Sequence, residues 1–190
     1  MFEQDESKNI DSILIQIWID LGHGALKGRH PYHTPVLATQ GENGPDARTV
    51  VLREADFTRR RLISHTDIRS PKIRDLRRHQ SVAWLFYDRG SNTQLRILGS
   101  ARVLHNDERA RERWEASAAR SRECYRAALA PSTPASSPTP PQPLECGFEN
   151  FAVIDCQVES VDWLYLQHSG HLRARYTWQD DQWQSSWLAP

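Results

Sequence analysis

The residue whose position most suggests chemistry is Lys72, one of three lysines among 24 basic residues, in the sequence Ser70-Pro71-Lys72. Ser70 is a favourable N-cap and Pro71 a favourable first helical residue, so we expect a short helix from here to about residue 79. A cation in the first turn opposes the helix macrodipole at a cost of about 0.3–1 kcal/mol, whereas the free N–H groups there attract an anion. A phosphate between those amides and Lys72, with the Thr66 and Ser70 hydroxyls as further donors, would reconcile the two. The alternative is a solvated lysine on a surface turn.

Arg48 and Arg53 bracket an apolar, β-branched stretch, Thr49–Leu52. Five strand steps separate the two arginines by roughly 16 Å, about the length of a mononucleotide joined to a tricyclic ring. The odd spacing places them on opposite faces of a regular strand, so both could serve one ligand only across a twist or bulge. Gln94 opens a later strand, and its amide could donate to a ring carbonyl and accept from a ring N–H. In isolation, all three residues are equally compatible with solvated strand ends.

Short strands with few helices are expected to position these residues. Apolar residues from Ile10 to Leu21 recur at helical spacing, which predicts one amphipathic helix ending between Gly22 and Gly28. Further helices are expected from Asp107 and over 122–130. The strands are expected at 35–40, 48–53, 61–66, 81–87, 93–105 with a possible bulge at Gly99, 151–166, 172–178 and 182–188. Runs of strands without regular helical crossovers favour an antiparallel barrel over a doubly wound sheet.

The composition favours a single domain over the 190 residues, with a Pro-rich loop at 131–143. The three cysteines form no C-x-x-C, which favours a reducing, cytoplasmic location, and no signal peptide or membrane-spanning stretch is expected. His23, His30 and His33 lack a carboxylate partner at suitable spacing, so no metal site is expected. Nine basic residues face four acidic ones between 53 and 78, which allows a nucleic-acid-binding module as an alternative. The net charge of zero and the lack of stacking aromatics in that segment argue against it.

Taken in order, several motifs resemble the FMN-binding half of the pyridoxamine 5'-phosphate oxidase family. They are Arg48-Thr49-Val50-Val51-Leu52-Arg53, Ser64-His65-Thr66-Asp67, Ser70-Pro71-Lys72, Val82-Ala83-Trp84-Leu85-Phe86-Tyr87, Gln94-Leu95-Arg96 with Gly99, and the closing Trp187-Leu188-Ala189-Pro190. The resemblance covers about residues 30–105 and 150–190. It implies a mostly β, antiparallel split β-barrel with flanking helices that binds FMN, and a homodimer with the flavin at the subunit interface.

The resemblance also implies which residues contact the cofactor. Arg53 stands where the family has Lys, His65 and Thr66 at its Tyr-Thr pair, and Pro71 replaces the Arg of its Ser-Arg-Lys phosphate clamp. Tyr165 lies where a flavin-stacking Trp is expected, although a shift of one residue would place Leu164 there. The implied cofactor-binding residues are Arg48, Thr49, Val50, Val51, Arg53, His65, Thr66, Ser70, Lys72, Gln94, Tyr165 and Arg175.

The departures from the family concern its substrate. The family holds pyridoxamine phosphate with an Arg-x-His near the C-terminus, where this chain has His171-Leu172-Arg173. The Tyr, Arg and Ser of the family's middle helix have no convincing equivalent around 114–122. We therefore expect an FMN-binding flavoprotein, an oxidoreductase that does not perform the oxidase reaction and needs no catalytic side chain. The same barrel holding a deazaflavin or haem is the nearest alternative.

Overall fold

The computed structural model describes residues 9–135 and 145–190. Within these ranges the chain forms four helices: α1 Ile10–Leu26, α2 Pro71–Arg78, α3 Glu108–Ala116 and α4 Ala119–Arg122. It also forms nine strands: β1 Val36–Gly41, β2 Gly44–Thr49, β3 Leu52–Asp56, β4 Arg61–Asp67, β5 Ser81–Asp88, β6 Thr93–Leu104, β7 Phe151–Tyr165, β8 Leu172–Gln179 and β9 Gln182–Leu188. Short 3-10 turns lie at Pro31–His33, Glu123–Arg126 and Phe148–Asn150.

All nine strands belong to one sheet, and every pairing is antiparallel. The order is β2-β1-β5-β6-β7-β4-β3, with β8 and β9 added through β7. The long strand β7 has β6 on one side. On its other side β4 pairs with 151–157 and β8 with 160–165, so β7 joins two separate strand groups. The expected fold class, mostly antiparallel β with flanking helices, is confirmed.

Helix α1 covers the main core with the apolar stripe expected from its sequence. Ile13, Leu14, Ile17, Trp18 and Leu21 are all buried, and they pack in one cluster with residues of both the early and the late strands. Counted from Ile10, these residues fall at i+3, i+4, i+7, i+8 and i+11, so one face of the helix meets the sheet while the other stays in solvent. The helix begins at an Asn9 cap, whose side chain accepts from the Asp11 amide.

The strand expected over 48–53 was wrong in one respect, because the chain breaks between β2 and β3. β2 pairs with β1, whereas β3 pairs with β4 on the far side of the sheet. At the break the Val50 amide donates to the carbonyl of Pro35 at 2.9 Å. The register then shifts between Leu52 and Glu54, which leaves Arg53 as the extra residue of a β-bulge. Arg48 and Arg53 therefore lie in different strand pairs, and the alternation that would put them on opposite faces does not apply.

The bulge expected at Gly99 is present, although the extra residue lies on the partner strand. Leu98 pairs with Ser160 and Gly99 with Val158, so Glu159 of β7 is unpaired. A Cβ at Gly99 would lie 2.2 Å from the carbonyl oxygen of Gln157. Glycine is required here because the two backbones approach too closely for any side chain.

A smaller second core lies under the segment that follows β6. Phe151 contacts Tyr125 edge-on, with ring centroids 5.1 Å apart, and Trp114 of α3 packs on both. The helix expected over 122–130 was wrong: α4 and the 3-10 turn Glu123–Arg126 take its place. The Pro-rich loop expected at 131–143 is described only as far as 135, and this part is exposed and irregular. The rest of that loop lies outside the described residues.

Candidate functional site

Thr66, Ser70 and Lys72 converge where β4 passes into α2, and we refer to these three residues as the α2 cradle. The Lys72 ammonium donates to the Ser70 hydroxyl at 2.6 Å and to the Thr66 hydroxyl at 3.2 Å. Ser70 occupies the N-cap position and Pro71 follows it, as expected. The Ser70 side chain makes no capping hydrogen bond and instead accepts from Lys72. The sequence Ser-Pro-Lys thus begins the helix and folds the lysine back over its start.

Lys72 is a half-buried cation without a matching carboxylate. Among the described residues, no acidic oxygen lies within 4 Å of its ammonium. Burial lowers the pKa of Lys72 from its ordinary value, and the nearby guanidinium of Arg48 lowers it further. A buried charge that lacks a partner is costly, so a bound anion at this point would be strongly stabilising. In the first turn of α2 the Lys72 N–H would attract the same anion, because Pro71 has no N–H and the Ile73 N–H donates to the Ser70 carbonyl.

His65 and Arg53 lie beside the cradle. The Nε2 atom of His65 is buried without a hydrogen-bond partner, and its ring packs edge-on against Phe151 at 4.8 Å. Burial lowers the pKa of His65 to about 4, with Arg53 and Arg113 adding to the shift. Arg53, the bulged residue of β3, is exposed. The β-bulge therefore places the Arg53 side chain near His65, whose imidazole is neutral at neutral pH.

Arg48 holds β1, β2 and α2 together. Its guanidinium donates to the Thr39 hydroxyl at 2.7 Å, pairs with Asp46 and lies 3.7 Å from the Asp75 carboxylate. Thr39 in turn donates to Asp75 at 2.9 Å. Asp75 is buried on α2 and had no signal in the sequence, because only the fold brings it to β1 and β2. Arg48 is thus committed to positioning the helix that carries Lys72.

Thr49, Val50 and Val51 form the crossing between β2 and β3. Thr49 is exposed at the end of β2, opposite Val36. Val50 is partly buried against the main core, and its amide is already used by Pro35. The geometry therefore places these three residues at the strand break.

Gln94 and Arg175 lie on the outward face of the sheet formed by β6, β7 and β8. Gln94 is paired with Leu164, and Arg175 with Asp162, two residues earlier on β7. Residues two apart on a strand point to the same side, so Leu164 shares this face. We call Gln94, Arg96, Asp162, Leu164 and Arg175 the outer β6–β8 face.

The structure does not bring Tyr165 together with Gln94 and Arg175. Tyr165 packs against the main core and stacks on Trp163, with ring centroids 6.0 Å apart. It therefore points away from the outer β6–β8 face, whereas Leu164 lies on it, as the one-residue shift considered for the sequence would require.

The α2 cradle and the outer β6–β8 face lie at opposite ends of β7. Thr66 pairs with Ala152 and Gln94 with Leu164, so 12 residues of β7 separate them. At ~3.3 Å per residue this is a strand path of about 40 Å. That path is more than twice the roughly 16 Å length of a mononucleotide joined to a tricyclic ring. One chain therefore holds two groups of the expected site residues at separate places.

The residues present fit a phosphorylated flavin. Lys72 and the Thr66 and Ser70 hydroxyls suit a phosphate, and the ammonium, which has no carboxylate within ion-pair distance among the described residues, is a group that an anionic ligand could satisfy. Gln94 would present an amide to the ring edge, and Arg175 a cation.

The histidines considered as metal ligands have an acidic neighbour that the sequence spacing did not reveal. Potential donor atoms of Asp20, His23 and His30 lie within 4.8 Å of one another. Nδ1 of His30 already accepts from the Tyr32 amide at 3.2 Å as the cap of a 3-10 turn. His33 is bonded to the Gly24 carbonyl at 2.7 Å instead of joining this group. The expectation that no carboxylate accompanies these histidines was therefore wrong, although Nδ1 of His30 already accepts a hydrogen bond from the Tyr32 amide.

The basic segment 53–78 does not form one continuous cationic face. Four of its nine cations contact carboxylates: Arg59 with Asp56, Arg61 with Asp155, Arg69 with Asp67 and Arg78 with Glu42. Arg60 lies over the Trp178 ring at 4.0 Å. In the part of the chain that the structure describes, no helix is long and apolar enough to cross a membrane.

Residues 16–105 match the family model described as pyridoxamine 5'-phosphate oxidase, FMN-binding domain. This stretch, 90 of the 190 residues, is similar to that family. The matched stretch includes the α2 cradle and Gln94, and the resemblance drawn from the sequence motifs is confirmed. No curated protein sequence matches the chain.

Solved structures related to this family share the fold. A pyridoxamine 5'-phosphate oxidase-related, FMN binding protein from Nostoc punctiforme superposes with a TM-score of 0.74 at 22% identity, covering 97% of this chain and 100% of that one. PhzG from Burkholderia lata, in complex with tetrahydrophenazine-1-carboxylic acid, gives 0.70 at 19% identity, with 100% and 98% covered. General Stress Protein 26 from Bacillus anthracis gives 0.52 at 16% identity, with 78% and 93% covered. The expected split-barrel fold is thereby confirmed.

Proposed function

We propose that this chain is an FMN-binding flavoprotein and that the α2 cradle holds the FMN phosphate. The observation that carries the proposal is the Lys72 ammonium, which is half buried, lies on two hydroxyls and has no carboxylate within ion-pair distance among the described residues. Such a group is stable in the folded protein when an anion shares its site. Similarity to the FMN-binding family over 16–105 supports FMN as the source of that anion.

We further propose that the complete site is formed by two copies of the chain. One copy would supply the α2 cradle and the other its outer β6–β8 face, because these groups lie at opposite ends of β7. In a twofold dimer each copy gives both halves, so two equivalent sites result. Leu164 takes the position beside the flavin ring that the sequence motif assigned to Tyr165.

Exposed apolar residues support a second copy on this side of the sheet. Leu85 and Tyr87 of β5 are 39% and 48% exposed, and Leu98 of β6 is 50% exposed. Leu85 and Leu98 line one cavity with Arg96 and Arg175, so they adjoin the outer β6–β8 face. A contiguous apolar surface of this kind is typical of an interface.

When bound, FMN would supply two-electron or hydride-transfer chemistry, and the chain would act as an oxidoreductase. Its own residues bind and orient: Lys72, Ser70 and Thr66 the phosphate, and Gln94 the ring edge. The oxidase reaction of the family is not proposed. At the positions of its Arg-x-His, Nδ1 of His171 accepts from the Gln167 amide, and Arg173 is bound to Asp162.

A single-domain organisation is also proposed. Helix α1 and the late strand β8 pack together, because the Tyr176 hydroxyl of β8 donates to the Ile10 carbonyl of α1 at 2.7 Å. Tyr176 belongs to the main core, and Ile10 packs against it. A cytoplasmic location stays a prediction from the cysteine content.

FMN titration of the ligand-free protein tests the proposed function, with flavin fluorescence quenching as the readout. Lys72→Ala is expected to weaken binding about 10- to 100-fold, because a charge-assisted hydrogen-bond donor is lost. Lys27→Ala is the matched control, since it removes the same charge from an exposed position and should leave the dissociation constant unchanged. Equal FMN affinity of the Lys72→Ala variant and the parent would contradict the proposal. A deazaflavin or haem protein would instead fail to bind FMN even as the parent chain.

A further inference from the structure

Three guanidinium groups surround the carboxylate of Asp162 on the outer β6–β8 face. Arg173 donates to both carboxylate oxygens at 3.0 Å, Arg96 donates at 3.0 Å and Arg175 at 3.3 Å. Burial opposes ionisation of Asp162, but hydrogen bonds from Arg173 and Arg96 outweigh it and hold its pKa below the usual range. The carboxylate is therefore ionised at neutral pH, and the cluster has a net charge of about +2.

The sheet register creates this cluster from residues far apart in sequence. Arg96 of β6 pairs with Asp162 of β7, and Asp162 pairs with Arg175 of β8, so three side chains line up across three strands. Directly paired side chains on one face lie within about 4.5–5.5 Å at Cβ. Arg173 follows the same alternation two residues before Arg175.

The three arginines differ in the number of hydrogen bonds that they donate to Asp162 and in the exposed fraction of their side chains. Arg173 forms a bidentate pair with Asp162 and is 24% exposed. Arg96 and Arg175 each give one hydrogen bond to Asp162, and each is 48% exposed. A guanidinium carries five N–H donors, so these two retain most of theirs. Asp162 thus acts as a positioning residue that fixes two cations and neutralises only part of their charge.

A cavity of about 640 Å³ opens beside Arg96 and Arg175. Leu85, Leu98 and Val36 form an apolar wall on one side, and the hydroxyls of Ser160 and Thr177 lie on the other. An apolar wall with a few convergent polar groups is the usual composition of a small-molecule site, and the volume falls in the usual range.

We infer that this cavity is a substrate subsite for a small carboxylic acid, with the carboxylate bound by Arg96 and Arg175 and the apolar body against Leu85 and Leu98. The inference rests on the proposed function, because Gln94 lies two residues from Arg96 on the same face and would place the flavin ring beside the subsite. A planar carboxylate matches the bidentate geometry of a guanidinium.

Binding of a small carboxylic acid distinguishes a substrate subsite from a cluster that only stabilises the pairing of three strands or that binds the flavin phosphate. Benzoate is the probe, titrated by calorimetry into the FMN-loaded parent and into Arg96→Gln. We expect saturable binding to the parent and about tenfold or greater weakening in Arg96→Gln, with FMN kept at a concentration that saturates both proteins. Arg102→Gln is the matched control. It removes an exposed charge from the same strand, six residues away and outside the cavity, and should bind benzoate like the parent.

Several outcomes would overturn the inference. These are absence of benzoate binding to the parent or equal benzoate affinity in Arg96→Gln. Displacement of benzoate by inorganic phosphate at an equal or lower concentration would overturn the assignment to carboxylic acids, as would equal binding of neutral benzamide. The same titration on FMN-free protein separates the two proposals. Benzoate binding without any FMN binding would retain the anion subsite and reject the flavin function.

Discussion

The two halves of the proposed flavin site are built in different ways. The α2 cradle draws Thr66, Ser70 and Lys72 from seven consecutive residues, and its geometry follows from one strand-to-helix turn. The outer β6–β8 face draws Gln94, Asp162 and Arg175 from three strands and depends on their register. A local motif can therefore be recognised from its spacing, whereas a cross-strand cluster exists only after the sheet has formed.

Mixed dimers give the most direct test of whether each flavin site takes one half from each copy of the chain. Lys72→Ala damages the cradle and Arg175→Ala the outer face, so each variant alone should bind FMN about 10- to 100-fold more weakly. When equal amounts are refolded together, about a quarter of the sites should recover parental affinity. Half of the dimers are then mixed, and each of these has one intact site. The readout is the number of high-affinity sites in an FMN titration.

The control for that experiment pairs two defects in the same half. Mixed Lys72→Ala and Thr66→Ala chains should give no intact site, so no high-affinity sites should return. A chain that binds FMN with both halves of its own would show no recovery in either mixture, and the composite site would then be wrong.

The β-bulge between the halves can be tested through stability. Gly99→Ala would place a Cβ 2.2 Å from the carbonyl oxygen of Gln157, so β6 and β7 must separate. We expect destabilisation by about 3 kcal/mol or more in urea denaturation. Gly22→Ala is the matched control, because a Cβ there meets nothing within 4 Å and an alanine favours the helix by up to about 1 kcal/mol. Equal stability of the Gly99→Ala variant and the parent would show that the strands tolerate a wider spacing.

The cradle half should also show a pH dependence between about pH 6.5 and 4, which lies above the range in which Asp162 of the outer face titrates. Burial lowers the pKa of His65 to about 4, below its ordinary value. The unfolded chain therefore binds a proton at higher pH than the folded chain does. Stability from this group is complete above about pH 6.5 and falls by up to about 3 kcal/mol as the pH drops toward 4. Urea denaturation across that range should show a flatter profile for His65→Phe, and an unchanged slope would contradict the assignment.

The sequence predicted the parts of the molecule whose signals are local. The apolar stripe of α1 and the Ser70-Pro71-Lys72 turn each depend on neighbours within a few residues, whereas the glycine marked the bulge at Gly99 without showing that the extra residue is Glu159 of β7. Tyr165 shows the limit of this approach. A shift of one residue reverses the face of a strand, and only the pairing of Gln94 with Leu164 decides which residue points outward.

Two further features could not have been read from spacing. The chain crosses from one side of the sheet to the other at Val50, in a run whose β-branched residues favour a continuous strand. Asp162 and Asp75 are single acidic residues in otherwise ordinary segments. Arg96 lies 66 residues from Asp162 and Thr39 lies 36 residues from Asp75, so the importance of the two carboxylates depends on tertiary contacts.

Arg69 joins the start of the cradle to a distant part of the chain. Its guanidinium is bound by Asp67 and also donates to the carbonyls of Ala127 and Ala128, at 2.9 and 3.2 Å. Residues 130–134 then line a cavity together with residues of α2, so the chain stays beside that helix as far as 134. A peptide tag inserted at the exposed Ala135 would lengthen the chain outside that point, and each doubling of a flexible loop adds only about 0.6 kcal/mol of closure entropy. This position is thus a natural attachment site for a label or a fusion partner.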